Sequence, residues 1–206
     1  MPRPKQADPL ARRQILAAAL EVFSRKGYAG ATLDDITAAA NLSKGAIYWY
    51  FESKAELFTA ILGERASIFS EILEDAARQA HDPLGALEAM WLRWMEALET
   101  DRSYQAYARL AHLRIEVGVE PSASMDARRA EERRTQALVI ERLLAAVAAR
   151  ELPAQLDVEA AALSFVGAGN GLVRAWLLVP ETFFPRAVAP RIWSLIVAGW
   201  QHASGS

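Results

Sequence analysis

The 206-residue chain has no cysteine and only three histidines, which excludes two broad groups of proteins. Without thiols it forms neither a disulfide framework nor a thiolate metal site. The histidines, His81, His112 and His202, are too scattered to build a familiar metal centre by themselves. We therefore expect no metal and no cofactor.

Recognisable catalytic motifs are also missing. The sequence has no Gly-x-Ser-x-Gly elbow, no metal-ligand spacing and no paired carboxylates in an identifiable cleft context. The glycine-rich residues 167–171 superficially resemble a phosphate-binding loop, but they follow no strand, and glycine within a helix usually marks close packing. A binding protein is therefore favoured over an enzyme.

Neither a leader nor a membrane span is evident. The N-terminus is polar and basic and has no apolar run behind its charges, which argues against a signal peptide. The most apolar stretch, residues 163–180, is interrupted by Asn170 and Arg174, so a buried amphipathic helix explains it better than a transmembrane one. We expect a cytoplasmic protein without a membrane partner.

Strand patterns are absent, and apolar residues recur at helical spacing throughout. Apolar residues make up 52% of the chain and charged residues 23%, a balance typical of globular proteins. Capping residues and prolines divide the chain into about nine helices. Their predicted spans are about 9–26, 32–40, 44–51, from 53 onward, 82–100, 103–117, 125–150, 157–179 and a last helix to 202, with a loop at 118–124.

Charge is unevenly distributed along the chain. Residues 1–56 carry a formal charge of +2, whereas residues 57–206 carry −4. A mildly basic head on an acidic body suits a module that contacts phosphate through one face only. The charged run at 126–135 alternates in sign, which favours a solvated helix face over a nucleic-acid contact.

Two short helices joined by the turn at residues 41–43, with a helix packed before them, form the pattern of a helix-turn-helix. In that motif the second helix lies in the major groove. Ser43, Lys44, Gly45 and Ala46 begin it, and they combine a cap, a cation and small residues that allow close approach to base edges. Without the motif, the alternative is an ordinary tight helical hairpin.

The segment ATLDDITAAANLSKGAIYWYFESKAELF, within residues 11–64, resembles the DNA-binding head of the TetR family of repressors. It has the Ser-Lys-Gly-x-Ile-Tyr-x-Tyr-Phe recognition helix and the Lys-x-x-Leu-Phe start of helix four, whereas the Gly-x-x-x-Thr entry, from Gly27 to Thr32, is one residue longer here. The resemblance implies an all-α fold, with a three-helix DNA-binding head at 1–53 and a helical ligand-binding and dimerisation body at 54–206.

The same resemblance implies the residues that contact operator DNA. Lys44, Gly45 and Ala46 would lie nearest the bases, and Arg3 and Lys5 could reach the duplex as a flexible arm. Five further residues would contact phosphates: Thr32, Ser43, Tyr48, Tyr50 and Lys54. Trp49 is a DNA-contact candidate whose alternative is packing on the first helix.

In its body the chain resembles the multidrug-sensing, AcrR-like branch, through ARLAHLRIEVG, ELPAQLDVEAAA and GLVRAWLLVPETF. A cavity of aromatic and Met side chains with a few polar groups accepts many lipophilic ligands, although most such residues are core in any helical protein. In the family, helices six and eight border the pocket. The candidate ligand-binding residues are Phe69, Trp91, Trp94, Met95, Tyr107, His112, Phe165, Asn170, Val173, Arg174, Trp176 and Leu177.

We expect a homodimer built from helices eight and nine, with Gly167, Gly169, Gly171 and Gly199 allowing close packing. Pro190 should delay or kink the last helix. The predicted function is a repressor released from a palindromic operator by a lipophilic molecule and controlling an efflux or resistance gene. The alternatives are a repressor that senses a metabolite, such as an acyl-CoA or a signalling lipid, and a helical adaptor without a ligand.

Overall fold

The protein is described by a computed structural model that covers residues 8–114 and 120–202, apart from the side chain of Phe69. This part of the chain is all-α, as predicted, and contains nine α-helices, one 3-10 turn and no strand. The helices are α1 (Pro9–Gly30), α2 (Leu33–Ala40), α3 (Lys44–Tyr50), α4 (Lys54–Arg78), α5 (Pro83–Thr100), α6 (Arg102–His112), α7 (Ser122–Ala148), α8 (Val158–Leu178) and α9 (Pro185–His202); the 3-10 turn is Pro180–Thr182.

Helix starts agree with the capping residues of the sequence. Asp8 accepts a hydrogen bond from the backbone N–H of Leu10 at 2.8 Å, and Asp82 accepts one from that of Gly85 at 2.6 Å. Asp157 caps α8 in the same way, at 3.0 Å from the N–H of Ala160. Each cap satisfies a donor that the first helical turn leaves open.

Gly27 breaks α1 where the sequence predicts its end. Its φ of 73° lies in the left-handed half of the backbone map, which glycine adopts without the steric cost of a side chain. Helical bonding resumes beyond the break and continues to Gly30, so the predicted stop is a kink followed by one further turn.

Three predicted boundaries require correction. Helix α6 ends at His112, while residues 115–119 of its predicted extension lie outside the described part of the chain. Helix α7 begins at Ser122 rather than 125, because the N–H and hydroxyl of Ser124 both donate to the Pro121 carbonyl and close the first turn earlier. Pro190 lies inside α9, which begins at Pro185, so the last helix is not delayed. Pro190 is the sixth residue of α9, and its missing N–H leaves the Arg186 carbonyl without its usual helical donor but does not prevent the earlier start of the helix.

The chain divides into two compact units. The first comprises the described parts of Met1–Arg65 and Ala106–Arg129. Its core includes the edge-to-face rings of Phe23 and Phe58, whose centroids are 5.0 Å apart, and the buried Leu110 of α6. The second unit comprises Ala66–Gln105 and the described part of Ala130–Ser206. The functional boundary predicted after residue 53 stays a prediction, because compactness does not identify the residues that bind DNA.

The second unit is centred on aromatic side chains of α5, α8 and α9. Trp91 is fully buried, and its Nε1 donates to the Ala189 carbonyl at 2.8 Å. Phe165 packs edge-to-face against Trp91, with centroids 5.5 Å apart, and against Trp193, at 6.2 Å. Helix α8 is long and apolar enough to span a membrane by length and composition, a test that core helices also pass.

Candidate DNA interface and ligand-binding body

The turn between α2 and α3 is held by its own backbone. Asn41 adopts the left-handed conformation with φ of 51°, and its N–H donates to the Ala38 carbonyl at 3.2 Å. The N–H of Leu42 donates to the Thr37 carbonyl at 3.2 Å. Ile36 of α2 and Ile47 of α3 are buried in the common core. These contacts fix the orientation of α3 relative to α2, as a helix-turn-helix requires.

The start of α3 is an exposed surface of small and cationic residues. Ser43 caps it by accepting from the N–H of Ala46 at 3.2 Å. Ser43, Lys44 and Gly45 are exposed, and Ala46 is partly exposed. Because a β-carbon at position 45 would meet only the Ser43 hydroxyl, at 4.0 Å, the glycine serves no internal packing need. The open surface allows close approach of a phosphate or base edge.

Lys44 lies beside Asp34 of α2, with its Nζ 2.8 Å from the carboxylate. The hydrogen bond to Asp34, together with the charge of that carboxylate, raises the pKa of Lys44 above its ordinary value. The ammonium therefore stays charged at neutral pH. Both side chains are more than half exposed, so the pair is weak and Lys44 can exchange its partner for a DNA phosphate.

The three consecutive aromatics of α3 have different environments. Tyr48 is 49% exposed and points away from the core. Tyr50 donates its hydroxyl proton to the Asp8 carbonyl at 3.0 Å, which holds α3 against the start of α1. Trp49 is partly buried and packs edge-to-face on Tyr50, while its buried Nε1 has no hydrogen-bond partner among the described residues. Tyr48 is thus the aromatic best placed to meet a phosphate.

Thr32 forms the predicted capping box with Asp35. The Thr32 hydroxyl accepts from the Asp35 N–H at 3.1 Å, and its N–H donates to the Asp35 carboxylate at 3.0 Å. Lys26 also donates to that carboxylate, at 2.7 Å. The Lys26 hydrogen bond, followed by those from Thr32, lowers the pKa of Asp35 to about 2. Lys26 and Asp34 are partners that the sequence did not reveal, because no local spacing signals them.

Lys54 is directed toward α1. Its Nζ donates to the carbonyls of Tyr28 at 2.9 Å and Ala31 at 3.0 Å, and lies 4.4 Å from the centroid of the Tyr28 ring. The ammonium therefore closes the carbonyl end of α1 as well as carrying charge. Its proposed phosphate contact stays a prediction. Arg3 and Lys5 lie outside the described residues.

Most candidate ligand-binding residues of the second unit are packed in its core. Trp91, Trp94, Met95 and Phe165 are at most 3% exposed, and the indole N–H of Trp94 donates to the Tyr104 hydroxyl at 2.6 Å. Val173 and Leu177 are also buried. Asn170 and Trp176 are partly buried, whereas Arg174 is exposed. The core thus contains six of the apolar candidates, whereas Trp176 and the polar Asn170 and Arg174 lie at its margin.

Three candidates are placed differently. Tyr107 and His112 belong to the first unit, on α6, where both are partly buried. The side chain of Phe69 lies outside the described residues. A groove of about 670 Å³ in the second unit, lined by residues that include Leu92, Arg93 and Ala189, contains none of the twelve candidates. The sequence did not predict this groove, because the alternation of apolar and charged residues in α5 is the same as in any amphipathic helix.

Comparison with known families identifies the class. Residues 15–61 match the model for bacterial regulatory proteins of the TetR family, and residues 82–197 match that for the C-terminal region of MAATS-type transcriptional repressors. The first match contains α2, the turn and α3; the second spans more than half of the chain. The protein belongs to the TetR family and is a DNA-binding transcriptional repressor rather than an enzyme.

Curated relatives support the predicted AcrR-like branch. The chain is 30% identical to the HTH-type transcriptional regulator TtgR of Pseudomonas putida over 181 residues, which are 87% of this chain and 86% of the relative. It is also 30% identical to the HTH-type transcriptional regulator AcrR of Shigella flexneri, over 87% of this chain and 84% of that one.

Solved structures share the fold. NalD, the secondary repressor of the MexAB-OprM multidrug efflux pump in Pseudomonas aeruginosa, is 25% identical with a TM-score of 0.77, covering 95% of this chain and 98% of that one. FadR from Bacillus subtilis, in complex with stearoyl-CoA, is 20% identical with a TM-score of 0.80, covering 91% and 98%. The second likeness concerns the fold alone.

Proposed function

We propose that this repressor binds a palindromic operator as a homodimer in the cytoplasm and is released by a lipophilic small molecule, with an efflux or resistance gene under its control. We also propose the functional division at residues 1–53 and 54–206. The observation that carries the proposal is the exposed, capped start of α3, where Ser43, Lys44 and Gly45 lie above a turn held by Asn41.

Exposed apolar side chains on and beside α8 and α9 support the dimer. Leu163, Leu178, Phe184 and Leu195 are 59–73% exposed, and burial of their apolar area would be favourable. A second copy would cover them through a two-fold contact. Gly169 takes no part, because a β-carbon there would overlap the Trp94 ring of the same chain. For this glycine the expectation of a dimer contact is wrong.

The lipophilic effector is supported by the apolar and aromatic character of the body and by the efflux regulation named for NalD. Coupling between effector and operator requires little energy. A hundredfold loss of operator affinity corresponds to about 2.7 kcal/mol, which lies within the usual range of allosteric coupling. Linkage then requires the operator to weaken effector binding by the same factor.

A mobility-shift titration with duplex from upstream of the protein's own gene tests the DNA function. We expect specific binding at low salt, with half-site centres about 34–36 Å apart. Light scattering tests the dimer, with Leu195→Glu expected to yield monomers. Leu144→Glu, an equally polar change at a 55% exposed site on α7, should leave the dimer intact. No shift with specific duplex, or a monomeric wild type, contradicts the proposal.

The effector class is tested by titrating hydrophobic antibiotics, dyes and plant phenolics against the operator complex. An effector should both raise the melting temperature and release DNA, and Trp176→Ala and His112→Ala should weaken that response. If none of these compounds acts, and an acyl-CoA or another metabolite does, the protein is a metabolite sensor and the efflux proposal is wrong.

A further inference from the structure

A small pocket of about 330 Å³ lies between α1 and the end of α6 in the first unit. It is lined by Ser24, Arg25, Arg109, Leu113 and Arg114. Three guanidinium-bearing side chains therefore share one recess, and no carboxylate-bearing residue of the described part of the chain lines it. In a chain with a net charge of −2, such a concentration of positive charge is a local feature and not a consequence of overall composition.

Within residues 8–114 and 120–202, two of these arginines have no ionic partner. Neither Arg109 nor Arg114 forms an ion pair among the described residues, whereas Arg25 pairs with Glu21 at 3.1 Å. That pair joins two side chains of one helix that are each more than 60% exposed, so it is readily exchanged for a stronger anion. A cation near the end of a helix is favourable, which accounts for Arg109 in the last turn of α6. Arg25 reaches the same recess from α1, two residues before the break at Gly27.

We infer that Arg25, Arg109 and Arg114 form a binding site for a phosphate group. Guanidinium groups donate paired N–H bonds that match phosphate oxygens, and several of them around one anion offset the mutual repulsion that they have without it. Leu113 and the buried Ser24 form the rest of the recess wall. This site is independent of the proposed lipophilic effector.

A phosphate-bearing small molecule and the operator backbone both supply such a group, and the salt dependence of operator binding distinguishes the two sources. Tyr50 of α3 contacts the start of α1 at Asp8. Arg25 lies 17 residues further along that helix, which corresponds to roughly 25 Å at 1.5 Å per residue. The pocket is thus far along α1 from Tyr50, at the end of the recognition helix. Lys26, next to Arg25, donates to Asp35, which adjoins the Asp34 that pairs with Lys44 at the start of that helix. A bound anion would also join α6 to α1, which packs against α2 of the helix-turn-helix.

Calorimetric titration of the full chain with inorganic pyrophosphate tests the site. We expect saturable binding that Arg109→Ala and Arg114→Ala each weaken by about tenfold or more, with Arg109→Lys intermediate because a lysine retains the charge but not the planar fork. Arg129→Ala is the control, since Arg129 belongs to the same unit, does not line the recess and pairs with Asp126. Circular dichroism verifies that each variant is folded.

Absence of saturable binding, or equal loss in Arg129→Ala and Arg109→Ala, overturns the proposal. The source of the phosphate is distinguished by measuring operator affinity against salt concentration. Arg109→Ala should leave that slope unchanged if the ligand is a free molecule. If Arg109→Ala lowers the slope of operator affinity against salt by about one, the site binds a phosphate of the operator backbone, and a free small molecule is not its ligand.

Discussion

Trp94 occupies the space beside the α-carbon of Gly169, and any β-carbon at that position would overlap its six-membered ring. Gly169→Ala should therefore force the indole to move within a packed core and lower the free energy of unfolding by about 1–3 kcal/mol. Urea denaturation measures the change. Gly63→Ala in α4 is the control, because nothing lies within 4 Å of a β-carbon there. It should stabilise the helix by about 0.5–1 kcal/mol. Equal effects of the two changes would refute the steric argument.

Acid should lower the stability of the first unit, because Asp35 becomes protonated. Its folded pKa of about 2 lies below the ordinary value, so its contribution to stability is complete above about pH 4 and is lost as the pH falls toward 2. Asp35→Asn should remove that part of the pH dependence, as measured by urea midpoints between pH 5 and 2. Asp126→Asn, at an exposed ion pair, should retain it. A wild-type profile that stays parallel to that of Asp35→Asn contradicts this prediction.

Substitutions at two tryptophans distinguish the contribution of an indole hydrogen bond to stability from that of ring burial. Trp91→Phe leaves the Ala189 carbonyl without its indole donor and should cost about 1–3 kcal/mol of unfolding free energy in addition to the smaller ring. Trp49→Phe removes an indole N–H that has no partner among the described residues, so its cost should be clearly smaller. Chemical denaturation of both variants gives the comparison, and a larger loss for Trp49→Phe would count against it.

The roles of Lys44 and Lys54 should separate when stability and DNA binding are measured together. Lys44→Ala removes an exposed ammonium, so stability should change little while the salt dependence of operator binding falls by about one unit of slope. Lys54→Ala leaves the Tyr28 and Ala31 carbonyls without their donor and should lower the unfolding free energy by about 1–2 kcal/mol. If Lys54→Ala changed only the salt slope, its contact with α1 would be unimportant.

Arg128 pairs at 3.2 Å with the buried Glu120, the Arg128 side chain itself being 13% exposed, and Arg128 also donates to the Leu110 and Ala111 carbonyls at the end of α6. Glu120→Ala leaves the guanidinium charge buried and should cost about 3–5 kcal/mol. The double change Glu120→Leu with Arg128→Met should cost less than Glu120→Ala alone, because it removes both charges. Thermal and urea unfolding of the single and double variants test this order. If the loss in the double variant equalled the sum of the losses in its two single variants, the two side chains would not be coupled.

The sequence by itself determined the helices, most of their starts and the helix-turn-helix. Each of these depends on residues within a few positions of one another, such as Thr32 with Asp35, or Ser43 with the N–H of Ala46. Such contacts are encoded locally, so residue type and spacing predict them. The family followed from the same segment, because its motif is continuous along the chain.

Only the tertiary structure decided which distant residues each side chain contacts. Lys54 reaches carbonyls 23 and 26 residues earlier, Trp94 fills the space beside Gly169, and Arg25 meets arginines that follow it by more than eighty positions. The sequence marked Trp91 and Phe165 as apolar, but it could not show that their rings pack against each other in the core. Burial and partnership depend on packing among distant segments, and no local pattern encodes that packing.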